Sequence, residues 1–280
     1  MSRAAVIQMC SGPDPEANLE VAASLLEAAA EAGAALAVLP ENFSFLGRRE
    51  ADRMAFAEQP GDGPAQAFLA AQARALGLWI VGGTLPILEA GEERPRAASI
   101  LFDATGRPVA RYDKLHLFDV RLPGSEEGYR ESAGTAAGRG AVLADSPVGR
   151  LGLTVCYDVR FPELYRSMLD AGLEAISLPA AFTVPTGRAH WELLVRARAV
   201  DNLCCVLAAA QWGEHEGGRT TWGDSMIVDH WGKILARRPA GVGIVVADLD
   251  RAAQLEARRR FPALTHRLAP DALRWRKEIT

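Results

Sequence analysis

Two segments of this chain repeat each other, and two further segments do the same in the same order. GAALAVLPENF (33–43) aligns with GLEAISLPAAF (172–182), sharing the opening glycine, the Leu-Pro step and the closing phenylalanine. SILFDATGRPVAR (99–111) aligns with SMIVDHWGKILAR (225–237), sharing Ser, Asp, Gly, a basic residue and Ala-Arg. Each member of the first pair is a short apolar run that follows a helix-like stretch, itself preceded by a strand-like run. The Asp-x-x-Gly core of the second pair is a turn signal between two strands, so each half ends in a hairpin. Few architectures accommodate such a repeat. We expect one domain over residues 1–280, made of two similar α/β halves whose sheets pack face to face, with helices on the outer faces.

Local patterns fill in this frame. Asp14-Pro15 is a cap plus a first-turn proline, and Leu19, Leu25, Leu26 and Ala29 carry a helical period to Gly33. Further helices are predicted from Gly63-Pro64 to Gly77, from Phe161-Pro162 to Gly172, and over 188–202. Between them lie AVIQM, ALAVLP, LWIVGGTL, ASILFD, LGLTV, AISLP, LCCVLAAA, SMIVD and GIVVADLD, apolar runs of strand length. Strands alternate with helices, which gives the α/β class.

Charge and composition narrow the function. A net charge of −4 with interspersed signs leaves no basic footprint, so no nucleic-acid partner is expected. No window approaches the ~18 apolar residues of a membrane span. The opening MSRAAVIQMCSGPDP is broken by Gln8 and Ser11, so it reads as a first strand and not as a signal peptide. Cys10, Cys156, Cys204 and Cys205 lack metal-type spacing and read as reduced thiols, which points to the cytoplasm. Cys10, Cys204 and Cys205 are expected to be small core residues.

Cys156 is different. In GLTVCYDVRFPELYR (152–166) it stands where a buried strand stops and a helix is about to start, the place where α/β folds put reactive groups. Glu41 likewise ends an apolar strand, and its repeat mate is Ala180, so the framework does not require a carboxylate there. Partly desolvated, such a glutamate has a raised pKa suited to a general base and acid; the alternative is a turn cap. Only three of the 31 basic residues are lysines, and Lys114 lies among apolar neighbours, where an ammonium can stabilise an oxyanion; Lys233 and Lys277 read as surface residues. Glu131, alone, would be a solvated loop charge. A Cys/His pair is the competing nucleophile, with His116 nearest the lysine, although no second residue selects it among five histidines. His215 in its Gly-rich loop reads as solvated rather than as a metal ligand. A non-catalytic binding protein of the same fold is a further alternative.

LPENF, YDKLHLFD, the Glu131-Ser132 step, VCYDVRFPELYR, TGRAHWELLVRARAVDN, AAAQW and DSMIVDHWGK together resemble the nitrilase superfamily of carbon–nitrogen hydrolases over nearly the whole chain. The resemblance is greatest to the branch containing omega-amidase and deaminated glutathione amidase, with AHWELLVRARAVDN and AAAQWGEHEGG closer to the second. It implies a four-layer αββα sandwich and a cofactor-free, metal-free cysteine amidase acting on small carboxylate-bearing amides. Cys156 would be the nucleophile and Glu41 the base and acid. Lys114 and the Tyr157 backbone N–H would form the oxyanion hole, with Glu131 in a positioning role. Arg160 would pair with a substrate carboxylate, unless it bridges to Glu163 or Asp158; Phe182 and Thr186 would line the pocket. A homodimer is implied, with 263–280 at the interface. Asp224 stands where the branch usually has histidine, His230 where it has proline, and Ala137-Gly138 where it has Pro-Gly; Asp224 and the 120–138 loop are expected to shape the pocket mouth.

Overall fold

A computed structural model describes residues 1–121, 128–216 and 218–268. The first half runs β1 (Ser2–Gln8), α1 (Pro15–Glu31), β2 (Leu36–Val38), α2 (Pro64–Leu76), β3 (Trp79–Val81), β4 (Leu85–Ile87), β5 (Arg96–Phe102) and β6 (Pro108–Asp113). A small ribbon of β7 (Asp119–Arg121) and β8 (Gly128–Arg130) follows. The second half runs β9 (Val142–Ser146), β10 (Gly149–Leu153), α3 (Pro162–Ser167), β11 (Ala175–Ala180), α4 (Val184–Asn202), β12 (Cys205–Ala210), the ribbon β13 (Trp212–Glu214) and β14 (Thr220–Trp222), then β15 (Ser225–Val228) and β16 (Ile234–Arg238). The strand β17 (Gly243–Leu249), helix α5 (Arg251–Arg260) and a 3-10 turn, Ala263–His266, follow.

The two sheets share one plan. In the first, β1, β2 and β3 are parallel, β5 joins β3 antiparallel, and β6 returns as a hairpin. In the second, β10, β11 and β12 are parallel, β15 joins β12 antiparallel, and β16 returns as a hairpin. Each gains an antiparallel strand beside its first parallel one, β17 on β1 and β9 on β10, and the first sheet carries an additional short strand, β4 on β5. The hairpin turns match in detail. Asp103 Oδ1 accepts from the N–H groups of Thr105 and Arg107, and Asp229 Oδ1 accepts from those of Trp231 and Lys233.

Alternation along the strands sorts side chains into layers. Ala4, Val6, Leu36 and Val38 point into the seam between sheets, with Leu151, Leu153 and Leu178 of the second sheet in the same cluster. Ala5, Ile7, Ala37 and Leu39 point outward, against Leu26 of α1 and Leu69 of α2. Leu164 of α3 and Trp191, Val195 and Ala199 of α4 pack against the second sheet. Because both faces of these strands are covered, they read as continuous apolar runs.

Several expectations change. The helix after Pro162 ends at Ser167, not Gly172, because i→i+3 bonds from Met168, Leu169 and Gly172 tighten the chain into turns that bury Met168. The helix expected over 188–202 begins earlier, at Val184, with Pro185 in its first turn. LWIVGGTL is two strands, since Gly83 takes φ +49° and a Cβ there would stand 2.1 Å from the Pro40 carbonyl oxygen. Helix α5 has no apolar stripe to reveal it. It is held by polar bonds: Gln254 to the Glu174 and Leu203 carbonyls, and Arg258 to the Leu203 and Leu173 carbonyls. Cys10 is exposed, not a core residue, because it lies past the end of β1, whereas Cys204 and Cys205 are buried as expected.

Candidate active site

Glu41 stands three residues beyond β2, where the seam between the sheets opens. The chain around it is fixed from two sides: Thr84 Oγ1 accepts the Asn42 N–H at 2.8 Å, and Gln211 Nε2, just past β12, donates to the Glu41 carbonyl at 3.0 Å. Lys114 immediately follows β6, and its backbone continues the ladder to Ala97 and takes a bond from the Gly138 N–H. Glu131 opens a 3-10 turn, Glu131–Ala133, after the β7–β8 ribbon. Cys156 follows β10 by three residues and adopts φ +48°, a left-handed conformation costly for a residue with a side chain.

Asp158 holds that strained elbow. Fully buried, its carboxylate accepts from Val155 N–H (2.8 Å), Tyr112 O–H (2.7 Å) and His116 N–H (3.2 Å), and its Oδ1 is 2.7 Å from His116 Nδ1. Tyr112 is on β6, two residues before Lys114. One carboxylate thus joins the cysteine elbow of the second sheet to the lysine strand of the first.

The side chains meet in a cleft of about 450 Å³. Lys114 Nζ, 2% exposed, donates to Glu41 Oε1 at 2.8 Å and to Glu131 Oε1 and Oε2 at 3.0 and 2.8 Å. Glu131 also accepts from the Phe118 N–H at 2.7 Å and from Arg53 at 3.5 Å. Burial would lower the pKa of the Lys114 ammonium, but Glu131 and Glu41 outweigh it and hold the group well above its ordinary 10.5. Burial would raise Glu131, yet Lys114 and Arg53 keep it below the usual 4.5. Burial, followed by the Glu41 charge, drives the Cys156 thiol well above 9.0 despite Lys114. The resting nucleophile is therefore a thiol beside a carboxylate, and its proton must leave as it attacks.

Of the residues named from sequence, Glu41, Lys114, Glu131, Cys156, Tyr157, Phe182 and Thr186 all line this cleft. Arg160 does not. Its guanidinium lies 5.8 Å from the Tyr157 ring centroid and 5.5 Å from that of Phe182, at the outer side of two lining residues. Its ring-nitrogen contact is His190, at 3.2 Å, instead of Glu163 or Asp158. Asp224 is not at the mouth: it is 2% exposed and ion-paired with Arg237. Residues 122–127 of the 120–138 loop lie outside the described residues. His116 does not line the cleft; it faces Asp158 and stacks on Phe161 at 3.7 Å. His215 is buried rather than solvated, pinned between the Ser11 carbonyl and Thr221 Oγ1, with burial lowering its pKa. Among the described residues no group of three or more His, Cys, Asp or Glu side chains is arranged for a metal.

Asn42, Arg53, Phe118, Tyr129 and Arg219 also line the cleft, and the sequence reading did not single them out. Asn42 carried a usable signal, since its repeat mate is Ala181, as Ala180 is that of Glu41. Arg53 and Arg219 are two among many arginines, and nothing local marks them.

A thiol, an adjacent carboxylate and a fixed ammonium at the strand ends of a stacked-sheet α/β fold equip a cysteine-dependent hydrolase. The chain belongs to the carbon–nitrogen hydrolase family, whose pattern matches residues 3–259, and it acts on amide carbon–nitrogen bonds. It is 42% identical over 265 residues to a deaminated glutathione amidase of Yersinia enterocolitica, covering 94% of this chain and 91% of that one. Among solved structures it is similar to the Caenorhabditis elegans NitFhit protein (TM-score 0.87, 37% identity), covering 95% of this chain and spanning 65% of that longer one. It is also similar to Saccharomyces cerevisiae Nit3, of branch 10 of the nitrilase superfamily (TM-score 0.84, 31% identity, 93% and 94% covered). These neighbours have the αββα sandwich that the sequence resemblance implied.

Proposed function

We propose that this protein hydrolyses deaminated glutathione, or a close carboxylate-bearing amide, through a thioester on Cys156. The observation that carries the reading is the Glu41–Lys114–Glu131 chain facing the buried thiol. As sulfur attacks the amide carbonyl, Glu41 takes the thiol proton. The carbonyl oxygen becomes an oxyanion held by the Lys114 ammonium and the Tyr157 N–H. The tetrahedral adduct then collapses: the carbon–nitrogen bond breaks, Glu41 returns its proton to the leaving nitrogen, and the amine departs. Water enters, Glu41 takes one of its protons, and hydroxide adds to the thioester. The second adduct expels the Cys156 sulfur, which recovers its proton, and the acid is released. Glu131 keeps Lys114 charged and aimed throughout.

No described helix is long and apolar enough to cross a membrane, and we assign the protein to the cytoplasm. We assign it a homodimeric state, built on the outer face of the second half; residues 269–280 of the segment expected there lie outside the described residues.

The test is amine and ammonia release from deaminated glutathione, alpha-ketoglutaramate, succinamate, glutamine, an N-carbamoyl amino acid and an aliphatic nitrile. Deaminated glutathione should be cleaved fastest, with cysteinylglycine released, and Cys156→Ala should lose at least about 10⁴-fold while remaining folded. A preference for alpha-ketoglutaramate would make it an omega-amidase with the same machinery. Undiminished turnover by Cys156→Ala would refute the mechanism.

A further inference from the structure

Asn42 is the anomaly in the cleft wall. It is 8% exposed and lines the cleft, yet no described residue hydrogen-bonds its carboxamide. The other buried polar side chains of the wall are paired: Lys114 with Glu41 and Glu131, and Thr183 with Thr186. Its amide atoms are not among the fully buried unpaired ones, so they are open to the cleft and free to bond to whatever occupies it.

Its backbone offers a competing account. Asn42 has φ +58°, and asparagine tolerates that region better than most residues. Glycine would meet that need with less strain, and the N–H is already satisfied by Thr84. The repeat gives the position an apolar mate, Ala181, which lines the same cleft without a positive φ. Polar side chains replace alanines at two consecutive positions, 41 and 42, in the half that carries the acid–base.

We propose that Asn42 is a specificity residue that binds a peptide-like group on the leaving side of the scissile bond. This rests on the functional reading above. A carboxamide offers one acceptor and two N–H donors, the complement of a peptide C=O and N–H. The side follows from the neighbour: Glu41 delivers the proton to the departing nitrogen, while Lys114 and the Tyr157 N–H hold the carbonyl oxygen. A group one residue from Glu41 is set to read what that nitrogen bears. The enzyme then favours N-peptidyl amides over primary amides of the same acid.

Two substrates isolate this choice, because both give the same 2-oxoglutaryl thioester. Deaminated glutathione releases cysteinylglycine and alpha-ketoglutaramate releases ammonia. Asn42→Gly keeps the left-handed backbone and removes the carboxamide; Asn42→Asp keeps the shape and an acceptor but removes both donors. With thermal melting as a fold control, each should lower kcat/KM about ten-fold on the peptidyl amide, as expected for one or two neutral hydrogen bonds, and less than three-fold on the primary amide. An equal loss on both would mean that Asn42 reads the acyl half, and no loss with glycine would mean that it serves only the backbone; either result overturns the proposal. Wild-type protein inert toward both substrates would instead overturn the functional reading and the inference built on it.

Discussion

A lysine with 2% of its surface exposed stays charged only if surrounding carboxylates outweigh its lost hydration. Glu131 does most of this for Lys114, with two bonds to the ammonium, and in return its own carboxyl is held below 4.5. Unfolded, Glu131 would bind a proton near 4.5; folded, it does so only at lower pH. Between those values the unfolded chain carries the extra proton, so the contribution to stability is complete above about 4.5 and is lost as pH falls through the folded value. Glu131→Gln should therefore destabilise by about 3 kcal/mol at neutral pH, the cost of breaking a buried pair. Its deficit in urea midpoint against wild type should shrink as pH falls below about 4.5; a deficit independent of pH would show that Glu131 acts by shape alone. Because the oxyanion donor is no longer fixed, kcat should fall about 10²-fold with little change in KM. At this scale the sequence was informative where a residue type broke a pattern: a rare lysine, or a glutamate opposite an alanine in the repeat. Arg53 and Arg219 broke none; the first is brought to the cleft by the 3-10 helix Glu50–Phe56 and the second by the start of β14.

Elements, not loops, bring Glu41, Lys114 and Cys156 together, since each lies within three residues of the end of β2, β6 or β10. Bonds across the seam fix how those strand ends meet, and Asp158 adds to the Gln211–Glu41 and Ser225–Gln8 bonds by tying β6 to the Cys156 elbow. Asp158→Asn would oblige one side to give up its bond or present donor to donor. We expect a folded protein with kcat reduced about 10²-fold, slower alkylation of Cys156 by iodoacetamide, and a KM within a few-fold of wild type. A loss of melting temperature with unaltered kcat and alkylation would assign Asp158 to stability alone. Repeated motifs, caps and prolines made most of these elements legible. Helix α1, with Asp14 accepting from the Glu16 and Ala17 N–H groups, and the Asp-x-x-Gly hairpins form where the sequence indicates. Elements held by polar bonds, such as α5, or made as short local hairpins, such as β9 on β10 and the β13–β14 ribbon, leave no periodic signal.

Over the whole molecule the two halves match in topology but not in surface. The outer layer of the second half exposes Leu193 (68%) and Val200 (49%) on α4, with Trp231 (59%) at the β15–β16 turn and Phe261 (53%) after α5. These belong together. The Arg196 guanidinium bonds to the Gly232 carbonyl, which lays the turn on α4, and the Trp231 and Phe261 rings meet edge to face at 5.7 Å. The hairpin turn of the first half, at 103–106, carries Thr105 where the second carries Trp231, so the fold does not demand an aromatic there. An indole and a phenyl left half in water are the surface on which the proposed homodimer would pack, since an isologous pairing through a two-fold axis needs only a second copy of this chain. Sedimentation at micromolar concentration should give a dimer, and Trp231→Glu should weaken it by at least about 30-fold, the loss of roughly 2 kcal/mol expected from a central aromatic anchor. Activity per chain should fall as the dimer is diluted apart if the interface also steadies α4, whose first turn contributes Thr186 to the cleft. Wild-type protein that sediments as a monomer at micromolar concentration would sink the assignment and leave this patch without a partner of its own kind.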